Sequence, residues 1–260
     1  MNPVIVCIAK LESNYIEEFV KYHLALGFST IYIYDNEDSP TYQALLSRYA
    51  NNIKVIHLPH NNYHKGVQYM ALDHFVKDFM QTSGITHVAH IDIDEFIVLK
   101  KHKDICEFIN EYIVGNCSGI GMNWRFFGSS GQSLYTNAPV TVRFTMCEKN
   151  SNQHIKTIFK VSDFISYNTC HDVNVKEYCA IKSTDGKVIS GPFNPNGDIS
   201  VLQLNHYKCK TLEEFKYIRS LRQRADKKEH ISEDVNTTFH AYDKNEVMDE
   251  TACKFYSKLM

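Results

Sequence analysis

The sequence has almost no excess of either charge: 28 Lys and Arg stand against 30 Asp and Glu, for a formal net charge of −2. That balance gives no electrostatic case for general nucleic-acid binding. Nowhere does it carry the roughly 20 consecutive apolar residues of a membrane span. Its eight cysteines, at 7, 106, 117, 147, 170, 179, 209 and 253, include no Cys-x-x-Cys pair. This excludes the common zinc module and a thioredoxin-like motif, and leaves the thiols to be read as free and mostly buried. Repeats and low-complexity linkers are missing as well. The opening Met1-Asn2-Pro3-Val4-Ile5-Val6 lacks the basic start and long apolar core of a leader, so it reads as a first strand. A soluble, reducing, cytoplasmic setting is expected, with peripheral membrane association left open. Without a leader, the glycan-acceptor patterns at Asn116-Cys117-Ser118 and Asn236-Thr237-Thr238 are read as chance. His60 and His64 stand at i, i+4, but no Glu follows His60 and Asn61-Asn62 speaks for a loop, against a catalytic zinc helix.

What is present suits one large α/β unit: 260 residues, 43% of them hydrophobic, can bury a substantial core. The first half alternates short β-rich runs with helical periods, the pattern of βαβ units around a mostly parallel sheet. Strands are expected at Val4 to Ala9, Thr30 to Tyr34, Ile53 to Leu58 and Thr86 to Ile91. Helices are expected from Ser13, as a cap, to Gly27, over Tyr42 to Tyr49, and over Val67 to Met80. Farther on, Asp104 to Tyr112 reads as a helix, Gly119 to Phe127 as a strand and Val140 to Cys147 as another β-rich piece. Short strands broken by turn formers follow from Ile155 to Leu204, then amphipathic helices over Leu212 to Asp226 and Asp249 to Leu259.

The segment His90-Ile91-Asp92-Ile93-Asp94-Glu95-Phe96 carries the most chemistry. It places an Asp-x-Asp pair after the fourth expected strand, at the carboxyl edge where open α/β sheets bind ligands. Two carboxylates there can hold Mg²⁺ or Mn²⁺, hard cations that bridge to substrate phosphates. A solvated turn is the competing reading, but the apolar surroundings imply buried acids, which demand a cation or a basic partner. His206 follows the β-rich Val201-Leu202-Gln203-Leu204 and is a further candidate ligand, for which Mn²⁺ is the better match; a packed core histidine is the alternative. Lys65 and Gln68 begin the helix after the third strand as a cation and an amide, with a solvated surface lysine as the competing reading of Lys65. Trp124 and Phe127 could form an apolar platform for a sugar ring on the acceptor side, against a plain packing role. Arg219, Arg222 and Arg224, with Lys210 and Lys216, could meet an anion or simply form the wet face of a helix.

Laid out in order, several pieces resemble one family. They are Lys10-x-Glu12-x-x-Tyr15-Ile16-x-Glu18-Phe19-x-x-Tyr22-His23-x-x-Leu26-Gly27, Tyr34-Asp35-Asn36, Lys65-Gly66-x-Gln68, Ile91-Asp92-Ile93-Asp94-Glu95-Phe96, Trp124-x-x-Phe127-Gly128 and Asn205-His206-Tyr207. Over nearly its whole length the chain resembles nucleotide-sugar glycosyltransferases of the GT-A fold, most narrowly the family 2-like and family 92 enzymes. The resemblance implies a Rossmann-like, mixed but mostly parallel sheet flanked by helices. It would form a catalytic domain over 1–210, with a helical extension over 211–260 packed on the same domain. It implies that Asp92 and Asp94 engage a divalent metal and the donor's ribose or diphosphate, that Lys65 and Gln68 meet ribose or diphosphate oxygens, and that Asp35 meets the nucleotide base; a cap or turn role competes for Asp35. If the reaction inverts the anomeric centre, Asp172 is the favoured carboxylate base, against a turn role, with Glu148 and His171 behind it. The expected function is therefore Mn²⁺- or Mg²⁺-dependent transfer of a hexose from a UDP-linked donor to a glycan or other hydroxyl. Its rivals are a metal-dependent nucleotidyl or phosphoryl transferase and a nucleotide- or sugar-binding domain without turnover.

Overall fold

The computed structural model describes residues 1–59, 66–221 and 234–260. In chain order its elements begin β1 (Pro3–Ala9), α1 (Ile16–Ala25), β2 (Thr30–Asp35), α2 (Tyr42–Leu45), β3 (Ile53–His57), α3 (Val67–Phe75), β4 (His87–His90), β5 (Glu95–Leu99), α4 (Ile105–Tyr112) and β6 (Cys117–Phe126). They continue as α5 (Val140–Arg143), β7 (Met146–Cys147), β8 (Ile155–Lys160), β9 (Phe164–Tyr167), β10 (Val173–Val175), β11 (Ala180–Lys182), β12 (Leu202–His206), α6 (Leu212–Leu221), α7 (Val235–Tyr242), β13 (Val247–Met248) and α8 (Thr251–Ser257).

A nine-stranded sheet organises the molecule, in the order β3-β2-β1-β4-β8-β6-β12-β5, with β11 beside β6. Strands β1 to β4 pair in parallel, whereas β8 runs antiparallel to both β4 and β6, and β12 is parallel to β6 but antiparallel to β5. The mixed, mostly parallel sheet flanked by helices is thus the architecture the sequence leads one to expect. β1 is an unbroken run of buried residues because helices cover both of its faces, as parallel strands require. One face buries Phe19, Phe96 and Phe108, the other Tyr32, Leu72 and Phe75. From β1 the chain steps outward through β2 to β3 and then returns to place β4 on the other side of β1. That reversal is a topological switch point, and the carboxyl ends of β1 and β4 open there.

Local differences from expectation have local causes. Gly27 does close α1, at φ 104, but Ser13 does not cap it: Tyr15 is the residue before the first turn, and no side chain caps there. The Val67 to Met80 segment is α-helical only to Phe75 and then widens into a π-turn over Val76–Met80. Val140 to Cys147, with its β-branched start, instead forms the short helix α5 and only two residues of strand. Toward the end, β13 pairs with β7, and Asp249 accepts a 2.7 Å hydrogen bond from Arg125 on β6. Among the described residues no helix is long and apolar enough to cross a membrane. Lys65, Arg222, Arg224, His60 and His64 lie outside the described residues.

Candidate active site

Register brings the site together. The parallel pairing Val6↔His90 sets the end of β4 beside β1, and the chain turns at once, with the Glu95 N–H donating to the Asp92 carbonyl at 3.0 Å. β5 then runs back against β12 with His206 opposite Glu95, and the Tyr207 N–H donates to the Asp94 carbonyl at 2.8 Å. His206 Nε2 consequently lies 3.5 Å from Asp94 Oδ2. Two residues about 110 apart in sequence, a span beyond any local pattern, are fixed side by side by strand pairing.

The two acids differ in their surroundings. Asp92 Oδ2 accepts a 3.0 Å bond from the ammonium of Lys156, a β8 residue with no exposed side-chain surface. Asp92 Oδ1 accepts from the Gln68 amide at 3.3 Å. Gly66, at φ 90, makes the turn that starts α3 and sets Gln68 in its first turn, a backbone conformation that a side chain would strain. Glu95 is fully buried; its Oε2 accepts from the Asp92 N–H at 2.9 Å and lies 3.9 Å from Lys156, while Oε1 has no partner. Burial pushes the Glu95 carboxyl well up, against the opposing pull of Lys156. Burial is the largest influence on Asp92 and works against its ionised form, but the charge and hydrogen bond of Lys156, with His90, together hold the carboxyl below its usual range. Lys156 itself is held above its usual range, because Asp92 and Glu95 overcome the cost of burying the ammonium.

A ring of imidazoles surrounds the acids. His90 is buried and pulled down to about 3 by loss of solvent and by Lys156; His171 is pulled down to about 4 for the same two reasons. His206 is lowered by burial, with Asp94 opposing, so its imidazole is neutral and its lone pair can meet a cation. Its Nδ1 is buried and without a hydrogen-bond partner. Trp124 packs among three imidazoles, stacked on His154 at 5.0 Å and edge-on to His206 at 4.4 Å and His171 at 5.3 Å.

These groups fit a divalent cation at Asp94 and His206: a partly exposed carboxylate, a neutral imidazole beside it, and an orphaned ring nitrogen on that imidazole. Among the described residues no group of three or more His, Cys, Asp or Glu is placed to hold a metal ion. A cation with so few protein ligands draws the rest of its shell from water and substrate phosphates, as Mg²⁺ commonly does.

Other expected residues fall elsewhere. Asp35 sits at the carboxyl end of β2 but is fully buried, with its carboxylate accepting from the N–H groups of Glu37, Thr41 and Tyr42 at 3.1, 2.7 and 3.1 Å. It caps the entry to α2. Phe127 is 1% exposed and packs on Tyr207 within the core. Asp172 is buried and accepts from the Asn168 amide at 2.8 Å and from the Thr169 hydroxyl. It closes its own loop, the same loop whose Cys170 carbonyl accepts from Lys156 at 3.4 Å. Glu148 accepts from the Phe126 N–H at 2.7 Å, at the end of β6. Lys210 lies over the Tyr15 ring and Arg219 over the Phe215 ring. The sequence pattern gave no role to Lys156 or His154, nor to His90 and Glu95 within the acid segment. The signal for Lys156 was there: a lone lysine inside the apolar run Ile155-Lys156-Thr157-Ile158-Phe159.

Comparison with known proteins gives a distant structural likeness and a firm sequence assignment. Core-mannan synthase A of Aspergillus fumigatus, in a Mn/GDP form, is similar at a TM-score of 0.32 and 7% identity, over 62% of this chain and 60% of that one. The chain thus spans about three fifths of that structure's length, at a distance that carries no argument. No curated protein matches the sequence significantly. Residues 2–242, which include every strand of the main sheet and the whole of the acid–imidazole site, match the sequence profile of glycosyltransferase family 92, and the chain belongs to that family.

Proposed function

We propose that this glycosyltransferase moves a hexose from a UDP-linked donor to a hydroxyl of a glycan or related acceptor, with Mn²⁺ or Mg²⁺ held by Asp94 and His206. The observation that carries the reading is the register-fixed contact of Asp94 with His206 at the carboxyl edge of the sheet's switch point. When bound, such a cation stabilises the charge that develops on the departing diphosphate. The chain's own residues do the rest. Gln68 orients Asp92 next to the donor side, neutral His206 lends Asp94 an uncharged neighbour, and Trp124 with His154 supplies a stacked aromatic wall beside them. Residues 168–172 carry His171 against Trp124, so acceptor binding is assigned to the Trp124 side of the site.

A panel of UDP- and GDP-hexoses, assayed for release of nucleoside diphosphate with Mn²⁺ and with chelator, tests this. UDP release that requires the cation is expected. In calorimetry, Asp94→Asn should weaken Mn²⁺ binding at least about tenfold, as loss of an anionic ligand implies. His206→Ala should cost more with Mn²⁺ than with Mg²⁺, since imidazole suits the softer ion. Release of hexose 1-phosphate, with the nucleoside monophosphate passed to the acceptor, would instead favour nucleotidyl transfer, and release of nucleoside monophosphate would favour transfer of the hexose phosphate. Cation-independent turnover would remove Asp94 and His206 from the cation-holding role.

A further inference from the structure

We infer that Phe193 forms an outer acceptor subsite, stacking on the second sugar of a chain whose terminal sugar lies beside Trp124, so that the acceptor is an oligosaccharide and not a lone hydroxyl. The inference rests on the functional reading above and on its assignment of the acceptor to the Trp124 side. A row of rings leads outward from the acid site: His206 to Trp124 at 4.4 Å, Trp124 to His154 at 5.0 Å and His154 to Phe193 at 4.9 Å. The row begins buried and ends in solvent, with Trp124 8% and Phe193 46% exposed.

A single exposed aromatic ring is ordinary. One that continues a row from the acid site, on a fixed loop, is not. The Ile155 N–H donates to the Pro192 carbonyl at 3.2 Å and the Asn194 N–H to the Gln153 carbonyl at 2.7 Å, so the backbone is tied on both sides of Phe193. Asn123, on β6, donates to the Asn194 carbonyl and accepts from the Asn194 side-chain amide, both at 2.8 Å. Gly197 packs so tightly on Asn123 that no side chain would fit there.

The polar atoms along the row indicate what it takes. Asn152 Oδ1 accepts the His154 backbone N–H at 3.0 Å and lies 2.7 Å from His154 Nδ1, so Nδ1 carries the proton and Nε2 presents a lone pair. The Trp124 indole N–H is buried without an acceptor, a cost to the free protein that a ligand oxygen would relieve. A donor and an acceptor set among apolar rings suit a sugar, with its C–H faces and its rim of hydroxyls. A lipid chain would leave both unpaired.

Trp124 is the single tryptophan of the chain, so its fluorescence reports on this row directly. The full chain, saturated with UDP and Mn²⁺, is titrated with gluco-, galacto- and manno-oligosaccharides of increasing length, from the monosaccharide upward. In the series that binds, affinity should rise about tenfold from monosaccharide to disaccharide, the size of one added aromatic contact. Phe193→Ala and Phe193→Leu should both remove that rise, whereas Phe193→Tyr should keep it. Equal affinities along every series in wild type, or a gain with length that survives in Phe193→Ala and Phe193→Leu, would overturn the inference. So would wild-type protein that releases UDP from a donor yet responds to no saccharide. Protein that binds no nucleotide and turns over no donor would sink the functional reading itself, an outcome distinct from failure in the saccharide titrations alone.

Discussion

His23 shows how a single buried side chain ties stability to pH. It is fully buried on α1, with Nδ1 2.9 Å from the Phe19 carbonyl, to which it donates, and Nε2 accepting from the Ile97 N–H at 3.3 Å. Burial pulls its pKa down to about 3, from an unfolded value near 6.5. Below about pH 6.5 the unfolded chain takes up a proton that the folded chain refuses, so this contribution to stability is complete above that pH and is lost as pH falls toward about 3. The slope is about 1.4 kcal/mol per pH unit for one proton. Urea unfolding at pH 7.5, 5.5 and 4.5 should therefore give a slope shallower by nearly that amount in His23→Gln than in wild type. Parallel profiles would show that His23 is protonated in the fold. The family motif quoted His23 from the sequence, but its neutral, doubly bonded state is tertiary: the Ile97 N–H comes from β5, 74 residues away.

At the scale of elements, what could be read depended on whether the cause lay nearby. β1 to β4 and α4 were legible because their burial pattern is local, and Asp104 caps α4 by accepting from the Glu107 N–H at 2.9 Å, a signal written three residues apart. α7 was legible in the same way and was missed: Asp234 accepts from the Thr237 N–H at 2.8 Å. α5 was not legible. Val140-Thr141-Val142 has strand propensity, yet the segment turns helical because the Glu18 carboxylate accepts from the N–H groups of Val140 and Thr141 at 2.6 and 2.9 Å, across 122 and 123 residues. Asp92 and Asp94 were found because a strand edge is a pattern, whereas the Lys156 beneath them comes from β8, a pairing no short window holds. The last residue of α5, Arg143, then makes a two-pronged ion pair with Glu214 on α6, at 3.0 and 2.7 Å, with both side chains nearly inaccessible. Tyr15 and Thr211 add hydrogen bonds to the same carboxylate. Arg143→Met should cost about 3–5 kcal/mol, the usual result of leaving a buried charge unpaired. Glu214 and the nearby Glu18 lose their common cation, and a Glu214→Gln second change should recover part of that loss in denaturant titrations. A single variant as stable as wild type would show that the pair contributes nothing.

For the molecule as a whole, the question is whether the last residues fold with the sheet or merely rest on it. Asp249 answers structurally. Its Oδ2 accepts from Arg125 at 2.7 Å and from Gln203 at 3.0 Å, and Lys100 stands 4.0 Å away, so one C-terminal carboxylate gathers groups from β6, β12 and the end of β5. Asp243 and Asn245 accept from the N–H groups of Ser129 and Ser130 at 2.6 and 2.8 Å, and Gly128 lies so close to Asn245 and the Lys244 carbonyl that an added Cβ would meet them at 2.5 Å. Phe255 of α8 packs on Tyr22 of α1 at 4.8 Å. We propose that the C-terminal segment is part of the catalytic fold and that the chain unfolds as one unit. Hydrogen exchange should then release amides of β12, α1 and α8 with one common free energy. Removing residues 247–260 strips the counter-charge from buried Arg125 and uncovers the aromatic face of α1, so the truncated protein should fail to give a cooperative thermal transition. A truncated chain that melts within about 5 °C of the full one, a shift equivalent to roughly 1–2 kcal/mol for a protein of this size, would show that the segment is an appendage.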